Sequence, residues 1–380
     1  MNEFELISRL VKALPTNESV VAGAGDDCAI LDVGIPDRWL LFKTDAVVEG
    51  VHFKEDASPE QVGHKALGRC LSDIAAMAGT PLAAVVTVGL PAGFDAERVV
   101  AIYEGMNRLA RRYAVAIVGG ETTTNPGGIF ISVTLLGSVE KDKAVMRSGA
   151  RVGDAIFVSG QLGGSLAGRH LTFEPRIQEA QWLARNFKVH AMLDVSDGLA
   201  GDLRHLLRAG HVGAELLSSS IPISREARLA ARAESSAKPP LLAALTDGED
   251  FELLFTVASS DAVPVLDGWK KQFPQVSLKV IGKITAGEGI TLRDKEGVRR
   301  LSAHGYVHFK KPCRNGSAGR AVGPRSAKRP GARSFGRPRR GQNPTREGVG
   351  ARVEYQRASS FAYLRADQRL FQRPAAIVSP

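Results

Sequence analysis

The feature that most constrains this chain is an apolar strand that runs directly into acids, Leu193-Asp194-Val195-Ser196-Asp197-Gly198-Leu199. Three further acidic motifs stand near the edges of apolar segments, at Gly25-Asp26-Asp27, Lys43-Thr44-Asp45 and Leu71-Ser72-Asp73. Carboxylates packed this densely repel one another unless cations hold them. Oxygen ligands without a matching set of His or Cys suit Mg²⁺. The sequence therefore predicts a magnesium-dependent enzyme that handles phosphate groups.

The length and composition favour a two-domain globular protein. At 380 residues the chain can build two cores, and 44% of its residues are hydrophobic. Its apolar runs are shorter than the roughly 18 residues of a membrane span, so none is expected. Three scattered cysteines, Cys28, Cys70 and Cys313, favour a reducing cytoplasm and argue against a disulfide framework or a zinc site.

The net charge of +10 is concentrated at the C-terminus. Residues 313–380 contain 15 Lys and Arg but only 3 Asp and Glu, so the rest of the chain is nearly neutral. The Gly, Arg, Pro and Ser composition of residues 312–350 predicts disorder. Nucleic-acid binding through this basic tail is an alternative function. We do not favour it, because the tail lacks a regular Arg-Gly-Gly repeat.

The order of the predicted elements favours a mixed α+β or α/β fold. Strands alternate with helices, but several strands follow one another without a helix between them. One helix, which begins at Ser58-Pro59, carries Asp73, and a strand at residues 39–42 leads into Thr44 and Asp45. We expect domains at residues 1–140 and 141–311 and a basic low-complexity tail at 312–380.

Seven motifs, in order, resemble the thiamine-monophosphate kinase family, which belongs to the aminoimidazole ribonucleotide synthetase superfamily. They lie at residues 25–29, 44–53, 71–77, 118–123, 147–150, 194–199 and 248–253. The resemblance covers roughly residues 3 to 309. It implies an N-terminal α/β half that pairs with its twin in a homodimeric barrel and a C-terminal α/β half. The implied reaction converts ATP and thiamine phosphate into ADP and thiamine diphosphate.

The resemblance also implies roles for individual residues. The implied Mg²⁺ ligands are Asp27, Thr44, Asp45, Asp73, Glu121, Asp194 and Asp197. The implied ATP contacts are Tyr103, Gly120, Glu121, Arg147 and Ser196. The implied thiamine-phosphate contacts are His52, Glu249 and Tyr306. No protein nucleophile is expected, because the substrate phosphate itself attacks ATP.

Three residues depart from the family pattern. The family usually has Ser or Thr where Lys43 stands, Asp where Glu121 stands and Gly where Asp247 stands. These departures concern the metal ligands and the shape of the substrate loop. A tolerated variation and a changed activity both remain open from the sequence.

Other interpretations remain open as well. His52 and Tyr306 could be ordinary packing residues, and Glu249 could lie in a solvated turn. Another ATP-using enzyme of the superfamily is the main alternative function. Selenophosphate synthetase fits poorly because Cys28 lies inside an apolar strand. The hydrogenase-maturation carbamoyl dehydratase, which ends in cysteine, also fits poorly.

Overall fold

The computed structural model of the chain describes residues 3–141, 143–233 and 238–302. All of these residues fall within one compact unit, residues 1–313. The predicted basic tail and Tyr306 lie outside the described residues. Among the helices described, none is long and apolar enough to cross a membrane.

Helices alternate with single strands and with runs of up to three consecutive strands along the described chain, as the sequence predicts. The α-helices are α1 (Glu3–Val11), α2 (Pro59–Ala76), α3 (Ala96–Arg112), α4 (Ile177–Asn186), α5 (Leu199–Gly210), α6 (Arg225–Ala233), α7 (Pro240–Thr246) and α8 (Ala262–Gln272). The strands are β1 (Val20–Ala22), β2 (Ala29–Leu31), β3 (Arg38–Val48), β4 (Thr80–Leu90), β5 (Ala116–Thr124), β6 (Phe130–Glu140), β7 (Ala155–Ser159), β8 (Val189–Asp194), β9 (Gly213–Leu217), β10 (Leu253–Val257), β11 (Leu278–Thr285), β12 (Gly289–Asp294) and β13 (Gly297–Arg300).

The N-terminal sheet has six strands in the order β1-β2-β3-β6-β4-β5. Only β4 and β5 pair in parallel, and α2 and α3 pack together beside the sheet. Glycines allow the two helices to approach closely. A Cβ added at Gly63 would lie 1.8 Å from the carbonyl oxygen of Ile102, and one at Gly105 would lie 1.9 Å from that of Glu60. This close packing fixes the position of α2, which carries Asp73.

The C-terminal sheet has seven strands in the order β13-β12-β9-β11-β7-β10-β8. Its strands β7 and β10 place Phe157 and Phe255 in a stacked pair with ring centroids 5.0 Å apart. These two rings belong to the same buried cluster as Leu67 and Ile74 of α2. The predicted mixed fold is confirmed, while the predicted domain boundary after residue 140 stays a prediction.

Two strands are longer than the sequence indicates. The strand expected to end at Thr44-Asp45 continues to Val48, because β6 pairs with β3 along its whole length. Successive residues of a strand point to opposite faces, so Lys43 and Asp45 share one face and Thr44 lies on the other. Likewise, Gly120 and Glu121 lie within β5 rather than in a turn after it.

Candidate active site

Three buried carboxylates from three separate elements meet in an acidic cluster, defined here as Asp27, Asp73 and Asp194. One ligand oxygen from each lies within 4.8 Å of the others. Asp27 precedes β2, Asp73 lies in the last turns of α2, and Asp194 ends β8. The cluster thus joins residues from both predicted halves of the chain. It brings together three of the seven predicted metal ligands.

The electrostatics of the acidic cluster fit a bound cation. Burial raises the pKa of Asp73 well above its ordinary value, although Lys43 opposes the shift. Burial and the charge of Asp27 raise the pKa of Asp194 to about 7, and the Ser72 hydroxyl, which donates to Asp194 Oδ2 at 2.5 Å, opposes this. Such carboxylates are costly to keep ionised without a cation. Three carboxylates without His or Cys are the donor set of a hard divalent ion such as Mg²⁺.

Fixed positive charges also surround the acidic cluster. Arg147 donates to both carboxylate oxygens of Asp27, from Nε at 3.2 Å and from Nη2 at 2.5 Å. Lys43 Nζ lies 3.1 Å from Asp73 Oδ2 and 3.9 Å from Asp45 Oδ1. Arg69 Nε lies 3.7 Å from Asp45 Oδ2. Asp45 therefore lies between two cations beside the acidic cluster, not within it.

A small cavity of about 80 Å³ contains four of the predicted site residues. Its lining residues are Val51, His52, Arg69, Leu166, Ser196, Asp197, Asp247, Glu249 and Phe251. The lining comes from the loop after β3, from α2, from the segment after β7, from the turn after β8 and from the loop before β10. Both predicted halves therefore contribute to this cavity, which is called the substrate cavity below because it contains His52 and Glu249, two of the predicted substrate contacts.

Lys65 connects the two loops that border the substrate cavity. Its side chain is only 1% exposed, and Nζ donates to the carbonyl of His52 at 2.5 Å and to Glu249 Oε2 at 2.6 Å. The backbone N–H of Val48 donates to His52 Nδ1 at 3.1 Å, which orients the imidazole ring. Glu249, whose side chain is 18% exposed, is therefore held by a buried lysine rather than lying in a solvated turn.

The loop before β10 has a constrained backbone. Glu249 and Phe251 have positive φ angles of 54° and 52°, a region that side chains rarely adopt. The Phe251 ring stacks on Phe173 with centroids 3.9 Å apart. Asp247, which stands where the family usually has Gly, also has a hydrogen-bond partner. The backbone N–H of Gly164 donates to Asp247 Oδ2 at 3.1 Å.

Other predicted residues lie apart from these contacts. The Thr44 hydroxyl donates to the carbonyl of Val133, a strand neighbour, at 3.2 Å. Gly120 packs against β4 and Glu121 is exposed on β5. Tyr103 is half-buried on α3 and packs against the N-terminal core.

Sequence reasoning missed Lys65 and Arg69. A signal for Lys65 was present, because it follows the buried Val62 by one helical turn and precedes the buried Ala66 and Leu67. A lysine on an apolar helix face is rarely buried without an acidic partner. For Arg69, which lies one turn further along α2, the sequence did not indicate which pocket it would border.

Two family descriptions match the chain. AIR synthase related protein, N-terminal domain, matches residues 25–139, and the corresponding C-terminal domain matches residues 151–295.

Curated relatives and solved structures resemble most of the chain. Thiamine-monophosphate kinase of Rhodopirellula baltica is 41% identical over 297 residues, which cover 76% of this chain and 92% of the relative. Thiamine-monophosphate kinase of Bacillus subtilis is 33% identical over 341 residues, which cover 82% and 100%. A solved structure of AaThiL complexed with AMPPCP and TMP has a TM-score of 0.68 at 32% identity, and the match covers 81% of this chain and 97% of that chain. The chain belongs to the thiamine-monophosphate kinase family.

Proposed function

We infer that this chain transfers the γ-phosphate of ATP to thiamine phosphate, forming ADP and thiamine diphosphate. The relatives carry the name of this activity, and the AaThiL complex contains AMPPCP together with TMP. The observation in this chain that carries the inference is the substrate cavity, where His52, Ser196, Asp197 and Glu249 meet. These residues come from distant motifs, so their convergence is not a consequence of sequence proximity.

We propose that the acidic cluster holds Mg²⁺. The ion would neutralise charge between two anionic substrates and stabilise the charge that develops during transfer. Asp27, Asp73 and Asp194 would supply its carboxylate ligands. Arg147, held by Asp27, supplies a fixed positive charge for the phosphate groups of ATP. Ser196 and Asp197, which lie two and three residues after Asp194, extend this set to the lining of the substrate cavity.

The reaction needs no nucleophile from the protein. An oxygen of thiamine phosphate, ionised at neutral pH, attacks the γ-phosphorus of ATP while the bond to the ADP oxygen breaks. The buried thiols agree with this scheme. Burial raises the pKa of Cys28 and Cys70 well above the ordinary value, so neither is a thiolate at neutral pH. Both are free cysteines, which supports our proposal of a cytoplasmic location.

We also propose the remaining metal, ATP and thiamine-phosphate contacts, which rest on the family resemblance. They are Thr44 and Asp45 on β3, Tyr103 on α3, Gly120 and Glu121 on β5, and Tyr306. Of these, Asp45 is linked to the acidic cluster through Lys43, whose ammonium group lies near both Asp45 and Asp73.

We also propose that the protein is a homodimer that pairs through the outer face of its N-terminal sheet. Phe42 and Val85, 45% and 43% exposed, lie on this face. Exposed apolar side chains on one sheet face support a protein interface. Val85→Glu is expected to yield monomers in light scattering, while Val263→Glu, at an exposed site on α8, leaves the mass unchanged. An unchanged mass for Val85→Glu would contradict this interface.

The activity is tested by ADP release from Mg-ATP in the presence of thiamine phosphate, thiamine, an aminoimidazole precursor or selenide. We expect release with thiamine phosphate only. Release with another acceptor, and none with thiamine phosphate, would support a different enzyme of the superfamily.

A further inference from the structure

Lys43 carries its positive charge into the middle of the acidic residues. Its Nζ is 3.1 Å from Asp73 Oδ2, one of the three carboxylates of the acidic cluster, and 3.9 Å from Asp45 Oδ1. The position is fixed by the fold, because Lys43 and Asp45 are two residues apart on β3 and therefore share one sheet face. Only 22% of the Lys43 side chain is exposed.

The surroundings hold Lys43 in its charged form. Its ammonium group lies against carboxylate oxygens of two residues, Asp73 and Asp45, and a lysine amine is ordinarily protonated at neutral pH. At neutral pH this position is therefore occupied by a permanent cation.

Three carboxylates in and beside the acidic cluster each have a cationic side chain as partner. Arg147 pairs with Asp27, Lys43 with Asp73 and Arg69 with Asp45. A divalent ion bound to the Asp73 oxygen that Lys43 contacts would lie within a few ångströms of its ammonium group. The repulsion of such a pair is large at this depth, even with an effective dielectric constant of about 20.

We propose that Lys43 is a built-in cation that takes the place of one divalent ion beside Asp73 and Asp45. The protein then needs fewer divalent ions than the same site with a neutral residue at position 43. The proposal rests on the proposed function only in that the acidic cluster binds divalent ions. On this proposal, the presence of Lys at position 43 instead of the family's Ser or Thr lowers the number of divalent ions that the site binds.

The experiment counts bound Mn²⁺, a paramagnetic substitute for Mg²⁺, by electron paramagnetic resonance on the full chain with AMPPCP. Lys43→Met removes the charge and keeps most of the side-chain volume, Lys43→Ser introduces the family residue, and Lys43→Arg keeps the charge. Lys141→Met is the matched control, because Lys141 pairs with Asp32 at 2.8 Å outside the acidic cluster.

We expect Lys43→Met and Lys43→Ser to bind one Mn²⁺ more per chain than the wild type, with affinity at that site raised about tenfold or more. Lys43→Arg and Lys141→Met should retain the wild-type number. The same number in all variants would overturn the proposal. A gain in Lys43→Arg would overturn it too, because the charge would then not be what excludes the ion.

Thermal unfolding is the second measurement, and it serves also for a variant that is only weakly stable without metal. Mn²⁺ should raise the Tm of Lys43→Met by about 2–4 °C more than that of the wild type, as expected for tenfold tighter binding. An equal rise would contradict the proposal. Neither readout requires turnover, so a negative result here and a failure of the kinase assay are distinguishable.

Discussion

Replacing Lys65 by Met tests whether the buried ammonium group shapes the substrate cavity. Lys65 donates to the carbonyl of His52 and to the carboxylate of Glu249, which border the cavity from two different loops. Methionine keeps the length of the side chain but makes neither bond. The loops then lose their common support, and binding of thiamine phosphate must restore their positions.

The size of the effect follows from the two bonds. A hydrogen bond to a charged group contributes about 1.5–3 kcal/mol. Part of this is offset by the cost of burying the ammonium group, so we assign about 2 kcal/mol to the ordered loops. That corresponds to an increase of about 30-fold in the KM for thiamine phosphate. The KM for ATP should change by less than about twofold, because Asp27 and Arg147 lie outside this bridge.

The assay is steady-state ADP release with each substrate varied in turn. Lys279→Met, at an exposed position on β11, is the matched control and should behave as the wild type. Equal changes in both KM values, or no change in either, would refute the role of Lys65 in the substrate cavity.

The same residue makes a prediction about pH. Burial lowers the pKa of Lys65 to about 8 from its ordinary 10.5, although Glu249 opposes the shift. Between these values the unfolded chain holds more protons than the folded chain, so the free energy of unfolding rises with pH. From pH 8 to pH 10.5, the free energy of unfolding of the wild type, measured in urea, should rise by at most about 3 kcal/mol more than that of Lys65→Met. If the difference in the free energy of unfolding between the wild type and Lys65→Met stays constant or falls over this pH range, the lowered pKa of Lys65 is contradicted.

Three further predictions concern the other parts of the site. Asp194→Asn should abolish thiamine diphosphate formation and weaken Mn²⁺ binding by at least about tenfold in titrations, and unchanged binding would remove Asp194 from the metal site. Arg147→Lys should raise the KM for ATP by about tenfold, because lysine cannot make the bidentate contact with Asp27 that fixes the position of the Arg147 charge, and a normal KM would count against an ATP contact. Gly120→Ala should lower the free energy of unfolding by about 3 kcal/mol, since its Cβ would lie 1.8 Å from a carbonyl oxygen of β4. Gly119→Ala, where the added Cβ has open space, should cost less in the same denaturant titration, and equal losses would contradict this packing argument.

The sequence indicated the members of the acidic cluster because each acid lies close to the end of an apolar element: Asp27 just before β2, Asp73 in the last turn of α2 and Asp194 at the end of β8. Their role as metal ligands stays a prediction. Asp27, Asp73 and Asp194 lie in motifs whose helix and strand patterns are strong, so their elements and their approximate positions could be derived. The mixed fold followed from the same patterns. Which side chains of a strand face the cluster depends on the pairing of that strand with its neighbours, because successive residues point to opposite faces. Pairing with β6, not local sequence, continues β3 past Asp45. As a result, Thr44 lies on the sheet face opposite Lys43 and Asp45.

Arg147 was named from the family resemblance, but two other cations, Lys65 and Arg69, were not predicted. Lys65 and Arg69 lie on α2 among apolar and small residues, and their partners, Glu249 and Asp45, are supplied by other elements. A charge pair across such a distance in sequence has no local pattern. By contrast, the helix α4 does have a local pattern, because its buried residues Ile177, Ala180 and Leu183 recur at helical spacing.

The central claim is that the chain transfers phosphate directly from ATP to thiamine phosphate with the help of the acidic cluster. The most direct test is a single-turnover reaction with ATP labelled at the γ-phosphate, followed by separation of thiamine diphosphate and protein. We predict that the label appears in thiamine diphosphate at the rate of ADP release, that none remains on the protein, and that Asp194→Asn forms no labelled product. Label retained on the protein, or thiamine diphosphate formed at the wild-type rate by Asp194→Asn, would contradict the claim.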